Sequence, residues 1–183
     1  MNKPSITATL AALLATLTFA GSVHAEDSPF TANVGLFSDY AYQSSWSTSY
    51  VEHARRYVDA ATARLGLDSS SRVVEIASND GYLLQWFVAK GIPVLGIEPA
   101  ANIAVLAEAK GIPSRVEFFE AAVGRQVREE VGPADLMIAN NVLAHVHELH
   151  DFVGGFRELL APRGRVTFEF PHLLRLVEHA EFD

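Results

Sequence analysis

The stretch 71-SRVVEIASNDGYLLQWFVAKGIPVLGIEP-99 decides the fold. Val73, Val74, Glu75, Ile76 and Ala77 read as a short buried strand, apolar except toward its carboxyl end. Ser78-Asn79-Asp80-Gly81 is predicted as a tight turn, with Asp80 suited to cap the next helix. That helix spans about Gly81 to Lys90 and carries Leu83, Leu84, Phe87 and Val88 on one face. Gly91 stops it, and Pro93 opens a second apolar strand, Val94-Leu95-Gly96-Ile97, ending in Glu98. The unit is βαβ, which predicts a parallel α/β sheet whose ligand sits at the turn after the first strand.

Two acidic residues narrow the ligand. Glu75 lies at the mouth of the first strand, and Glu98 closes the second about 20 residues later, where an acid accepts hydrogen bonds from ribose hydroxyls. A dinucleotide site would carry G-x-G-x-x-G so that backbone could approach a pyrophosphate. Here the turn offers only Gly81, and Ser78, Asn79 and Asp80 fill the rest. A ligand with a ribose, no pyrophosphate and an ammonium group fits better, and S-adenosylmethionine (SAM) is one. The residues expected to bind it are Glu75, Ala77, Ser78, Asn79, Asp80, Gly81, Glu98 and Pro99.

Downstream, Ala-Lys-Gly-Ile-Pro occurs at 89–93 and again at 109–113. Each copy is helix-end punctuation: a lysine in the last turn, a glycine stop, and a proline before the next strand. A third strand is predicted at about Arg115 to Phe119 and a fourth at Ala134 to Ala139, ending in Asn140-Asn141. A helix from about Glu148 to Leu160 leads to a fifth strand, Arg165 to Phe170, followed by Pro171-His172. Glu75, Glu98, Asn140, Asn141, His145, Glu169 and His172 would then gather outside the carboxyl ends of the strands.

Three motifs carry a resemblance: Glu75-Ile-Ala-Ser-Asn-Asp-Gly-Tyr-Leu-Leu84, Gly96-Ile-Glu-Pro-Ala100 and Asn140-Asn-Val-Leu-Ala-His-Val146. From about Tyr42 to Asp183 the chain resembles the SAM-dependent C-methyltransferases that act on nucleotide-linked deoxysugars. The resemblance implies a Rossmann-like class I core of five parallel strands in order 3-2-1-4-5, without the usual closing antiparallel pair. It implies SAM as cofactor and a small-molecule acceptor, a nucleotide-sugar. It places adenine near Glu117 and Phe118 and adds Asn140 and Asn141 to the cofactor-binding set. It lays Tyr42 to Ser47 over the cofactor mouth. Methyl transfer to carbon needs a carbanion and therefore a base; in the resembled family that base lies just beyond Asp183, leaving His145 and His172 as the catalytic candidates here. A non-catalytic SAM-binding remnant is the alternative, and self-association through an open sheet edge accompanies it.

His145-Val-His147-Glu-Leu-His150-Asp151 is similar to the H-x-H-x-D-H zinc motif of metallo-β-lactamase-like hydrolases. Leu149 occupies the motif's aspartate position, so the expectation is no metal, with a zinc hydrolase as a third reading.

Upstream, Ser49-x-x-Glu52 reads as a capping box for a helix carrying Val51, Ala54, Tyr57, Val58, Ala61 and Leu65 on one face and ending at Gly66. Residues 1–25 read as a secretory signal peptide: Lys3, an apolar centre from Ala8 to Ala20, and Val23-His24-Ala25 before Glu26. Residues 26–42 alternate apolar and polar side chains and resemble the opening strand of small outer-membrane proteins. The methyltransferase body is 43–183. Export to the periplasm conflicts with a cofactor made in the cytosol. With 183 residues, 49% of them hydrophobic, and no cysteine, the chain suits one domain without disulfides or a Cys-type zinc site; its charge of −8 argues against nucleic acid and anionic membranes as partners.

Overall fold

The computed structural model describes residues 42–170 and Glu178. The expected signal peptide, the leader as far as residue 41, and His172 lie outside the described residues. Helix α1 is Thr48–Leu65; β1, Val73–Ile76; α2, Leu84–Val88; β2, Val94–Ile97; and α3, Ala101–Glu108. Strand β3 is Ser114–Arg115; α4, Ala121–Val131; β4, Ala134–Asn140; α5, Leu149–Leu159; and β5, Leu160–Glu169. The strands form one sheet in the order β3-β2-β1-β4-β5, and every neighbouring pair is parallel. Architecture and strand order match the sequence expectation.

The central strands are short β-branched and aliphatic runs buried on both faces, as a parallel sheet covered by helices requires. Side chains alternate between the two faces. Val73, Leu136 and Ile138 pack against Ala54 and Val58 of α1 and Leu84 and Phe87 of α2. Val74, Ile76, Met137 and Ala139 pack against Val127 of α4 and Phe152, Phe156 and Leu159 of α5. Burying a side chain such as Leu84 or Phe87 contributes ~1.5–3 kcal/mol. Glu75 shares the face of Val73, two residues away, so its carboxylate is carried into the α1–α2 layer.

Several boundaries differ from the sequence reading. The cap of α1 is Ser47, whose hydroxyl accepts from the Tyr50 N–H at 3.3 Å; Ser49 and Glu52 form no capping box. Glu52 is held instead by Arg55, three residues on, at 2.7 Å. The helix does end at left-handed Gly66 (φ 66°). α2 begins at Leu84 rather than Gly81, because Gly81 takes φ 75° and cannot be helical. Asp80 does not cap it; its carboxylate faces Ser45 and Lys110.

Both Ala-Lys-Gly-Ile-Pro copies terminate helices by one device. Ile92 N–H bonds Phe87 O and Ile112 N–H bonds Ala107 O, both at 3.1 Å, with Gly91 and Gly111 left-handed at φ 70° and 78°. β3 stops at Arg115, since Phe119 turns into the core against Phe152 and Phe156. β5 starts earlier than predicted, at Leu160, with a register irregularity opposite Ala134/Leu136. No helix among the described residues is long and apolar enough to cross a membrane.

Candidate functional site

The carboxyl ends of β1, β2 and β4 converge on the turn after β1. Ala77, Asn79 and Gly81 all take left-handed backbone, with φ of 55°, 49° and 75°. Every second residue is therefore rotated, which coils the chain tightly. Ala77 N–H and Ser78 N–H both reach Ile97 O, at 2.8 and 3.3 Å. A β-carbon at Gly81 would stand 2.3 Å from Ile112 Cδ1, and one at Gly96 would stand 2.4 Å from Ser78 Oγ. Glycine at both positions lets the turn sink against β2 and the end of α3.

Around this turn the side chains are buried and acidic. Glu75 and Asp80 are each 1% exposed and Glu98 5%. Glu98 accepts Asn79 N–H on Oε2 and Ala100 N–H on Oε1, both at 2.9 Å. It thus ties the turn after β1 to the start of α3 and keeps one further lone pair on each oxygen. Glu75 Oε2, Ser78 Oγ and Asp80 Oδ1 are buried with no hydrogen-bond partner among the described residues. Buried polar atoms are ordinarily paired, so an unmet cluster of this kind marks a place for a ligand's donors. Burial, and then the charges of Glu98 and Asp80, push the Glu75 carboxyl well above its ordinary value. Burial also raises Glu98, against the two backbone N–H groups that favour its charged form.

The segment before α1 straps the turn. Ser44 N–H donates to Asn79 Oδ1 at 2.8 Å, Asn79 Nδ2 donates to Tyr42 O at 3.2 Å, and Ser45 Oγ bonds Asp80 Oδ2. Lys110, from the second Ala-Lys-Gly-Ile-Pro copy, donates to Asp80 O at 2.8 Å and reaches its Oδ2 at 3.2 Å.

The rest of the predicted set is more open. Asn140 is half-buried and donates to Tyr82 Oη at 3.5 Å, while exposed Asn141, left-handed at φ 51°, donates to Tyr50 Oη at 3.1 Å. Pro99 is half-buried beside Glu98. Glu117 is gripped by Arg115 at 2.6 Å, and Arg115 also binds Glu130 of α4. Phe118 is half-buried. His145 is exposed on a 3-10 turn, Leu143–His145, just after β4. No group of three metal-capable side chains forms among the described residues, so the His145, His147 and His150 spacing does not assemble a zinc site there. Sequence reasoning missed Tyr50, His53 and Tyr82. For Tyr50 and His53 the signal is the i, i+3, i+7 spacing of Tyr50, His53 and Tyr57 on α1.

These features define the protein class. A family model described as "Methyltransferase domain" matches residues 50–182, and the chain belongs to that family. C-methyltransferase NovU of Streptomyces niveus is 35% identical over 148 residues, 81% of this chain but 35% of that protein, so the chain spans about a third of its curated relative. The PH0226 protein of Pyrococcus horikoshii shares the fold with TM-score 0.56 at 14% identity, over 84% of this chain and 67% of that one. The glycopeptide N-methyltransferase MtfA, solved with SAM, follows at TM-score 0.51 and 15% identity, over 71% of this chain and 55% of that one.

Proposed function

We propose that this chain is the SAM-binding core of a C-methyltransferase acting on a nucleotide-linked deoxysugar. The observation that carries the cofactor is the set of unmet buried atoms, Glu75 Oε2, Ser78 Oγ and Asp80 Oδ1, next to Glu98 at the end of β2. An ammonium group supplies donors to the two carboxylates, and a ribose diol supplies donors to the remaining lone pairs of Glu98. A pyrophosphate would meet three buried acids and a single lysine. SAM, when bound, brings an electrophilic sulfonium methyl group. The chain's own residues hold and orient it: Glu98 fixes the turn, Gly81 lets it close, and residues 42–46 cover it.

Carbon methylation and the deoxysugar class rest on the NovU likeness and on the three motifs. On this reading His145, at the exposed lip after β4, is placed to take a proton from the acceptor carbon beside a sugar ketone. General-base catalysis of that kind contributes typically ~10²–10⁴-fold. Calorimetry should show SAM binding and no NAD binding. Labelled SAM incubated with a nucleoside-diphosphate 4-keto-deoxysugar should give carbon-bound label. A chain that binds NAD, or that binds no SAM, contradicts the proposal.

A further inference from the structure

The face of α1 turned toward β4 and β5 carries polar groups outside the cofactor-binding set proposed above. Tyr50, His53 and Tyr57 recur at i, i+3 and i+7 and so share one side of the helix. Across from them, Thr167 and Glu169 lie two residues apart on one face of β5. Tyr57 Oη and Thr167 Oγ1 are 2.6 Å apart, which docks the helix on the strand. One turn nearer the amino end of α1, His53 Nε2–H donates to Glu169 Oε2 at 3.1 Å, and this pair stays open, with side-chain exposures of 60% and 41%. The Tyr50 ring stacks between Tyr82, at 4.9 Å and 19°, and His53, at 6.2 Å and 9°. Its hydroxyl receives Tyr82 Oη–H at 3.3 Å and Asn141 Nδ2 at 3.1 Å.

This arrangement is over-equipped for docking a helix. Tyr57 and Thr167 already do that in a half-buried position, and an exposed ion pair adds little to stability. Among the described residues no hydrogen bond reaches His53 Nδ1, Glu169 Oε1 or Asn141 Oδ1, so three acceptors are left for a ligand's hydroxyl donors. Asn140 pairs with Glu169 across the sheet, and neighbouring strands lie ~4.8 Å apart, the scale of one sugar ring. An amide, an imidazole and a carboxylate on one rim suit a ring bearing several hydroxyls. We propose that His53 and Glu169, with Asn141, form the hydroxyl-binding edge of the acceptor site, taking the sugar ring of the methyl acceptor. This rests on the methyltransferase reading above and assigns residues that reading leaves out.

The test uses the full chain and two titrations, one with SAM and one with a nucleoside-diphosphate 4-keto-deoxysugar. His53→Ala and Glu169→Ala should each weaken the sugar about tenfold, the size of one hydrogen bond to a charged group. SAM affinity should stay within about twofold, and His53→Gln, which keeps both a donor and an acceptor, should recover part of the sugar affinity. A merely structural pair would instead lower Tm and weaken both ligands together, which overturns the assignment. So does unchanged sugar affinity in both alanine variants, or wild type that takes SAM but no sugar. Wild type that takes no SAM overturns the underlying reading and this assignment with it.

Discussion

The two ends of the crevice are built differently. On the β1–β2 side, Glu75, Asp80 and Glu98 are at most 5% exposed, and three left-handed residues coil the turn that joins them. On the β4–β5 side, Asn141, His145 and His53 are exposed, and Glu169 is half-buried. The contrast separates binding from chemistry. A buried array of charge is costly unless something meets it, so the first side is fitted to one charged ligand. The open side puts donors and acceptors within reach of solvent and of varied acceptors, as loops on a rigid scaffold commonly do.

Substitutions on the closed side should therefore move stability as well as binding. The largest effect is expected at Gly81. Gly81→Ala places a β-carbon 2.3 Å from Ile112 Cδ1 in left-handed backbone at φ 75°. Overpacking and the unfavourable backbone together should cost ~2–4 kcal/mol, read as a lower urea midpoint. A midpoint equal to wild type would mean that the turn is loose and the contrast unfounded.

The twin Ala-Lys-Gly-Ile-Pro segments provide an internal control. Lys90 pairs with Asp59, both substantially exposed, at 2.7 Å. Lys110 holds Asp80, which is 1% exposed. Lys110→Met should cost ~1–3 kcal/mol by stranding a buried carboxylate, whereas Lys90→Met should cost less than ~1 kcal/mol. Equal losses in denaturant melts would erase the distinction between the two copies.

Glu75 gives a smaller effect of opposite sign. Its folded-state carboxyl is raised by burial and by the charges of Glu98 and Asp80. A raised acid favours the folded state fully below the unfolded value, near ~4.3, and that contribution is lost as pH rises through the folded value. Glu75→Gln should thus be more stable than wild type at pH ~8, with the gain fading toward pH ~4. The same variant should bind SAM more weakly. A variant less stable at high pH would show that Glu75 is already paired in the apo fold.

Much of this was legible in the sequence, for physical reasons. The run from Val73 to Ile97 fixed strand, turn and strand, because fully buried parallel strands need unbroken apolar residues and Gly91 with Pro93 permits little but a helix end. Glu75 and Glu98 were readable as site residues because acids in such strands need a reason. The left-handed geometry at Ala77 and Asn79 was not, since neither residue announces positive φ as glycine does. Nor was the capture of Asp80 by Lys110, thirty residues away, or the stack of Tyr50 on Tyr82. Those depend on how α1 and the end of α3 fold back over the sheet, which no local pattern encodes. The short β3 was over-read because Phe118-Phe119 looks like strand, while Phe119 is drawn into the aromatic cluster under α5.

The central claim is that the closed side holds SAM through the carboxylate at the end of β2. Calorimetric titration of SAM into wild type and Glu98→Ala, with folding of both checked by circular dichroism, tests it most directly. Loss of the ribose contacts and of the tie between the turn and α3 should weaken binding by ~1.5–3 kcal/mol, about 10- to 150-fold. Equal affinity in the two proteins, both folded, would contradict the account.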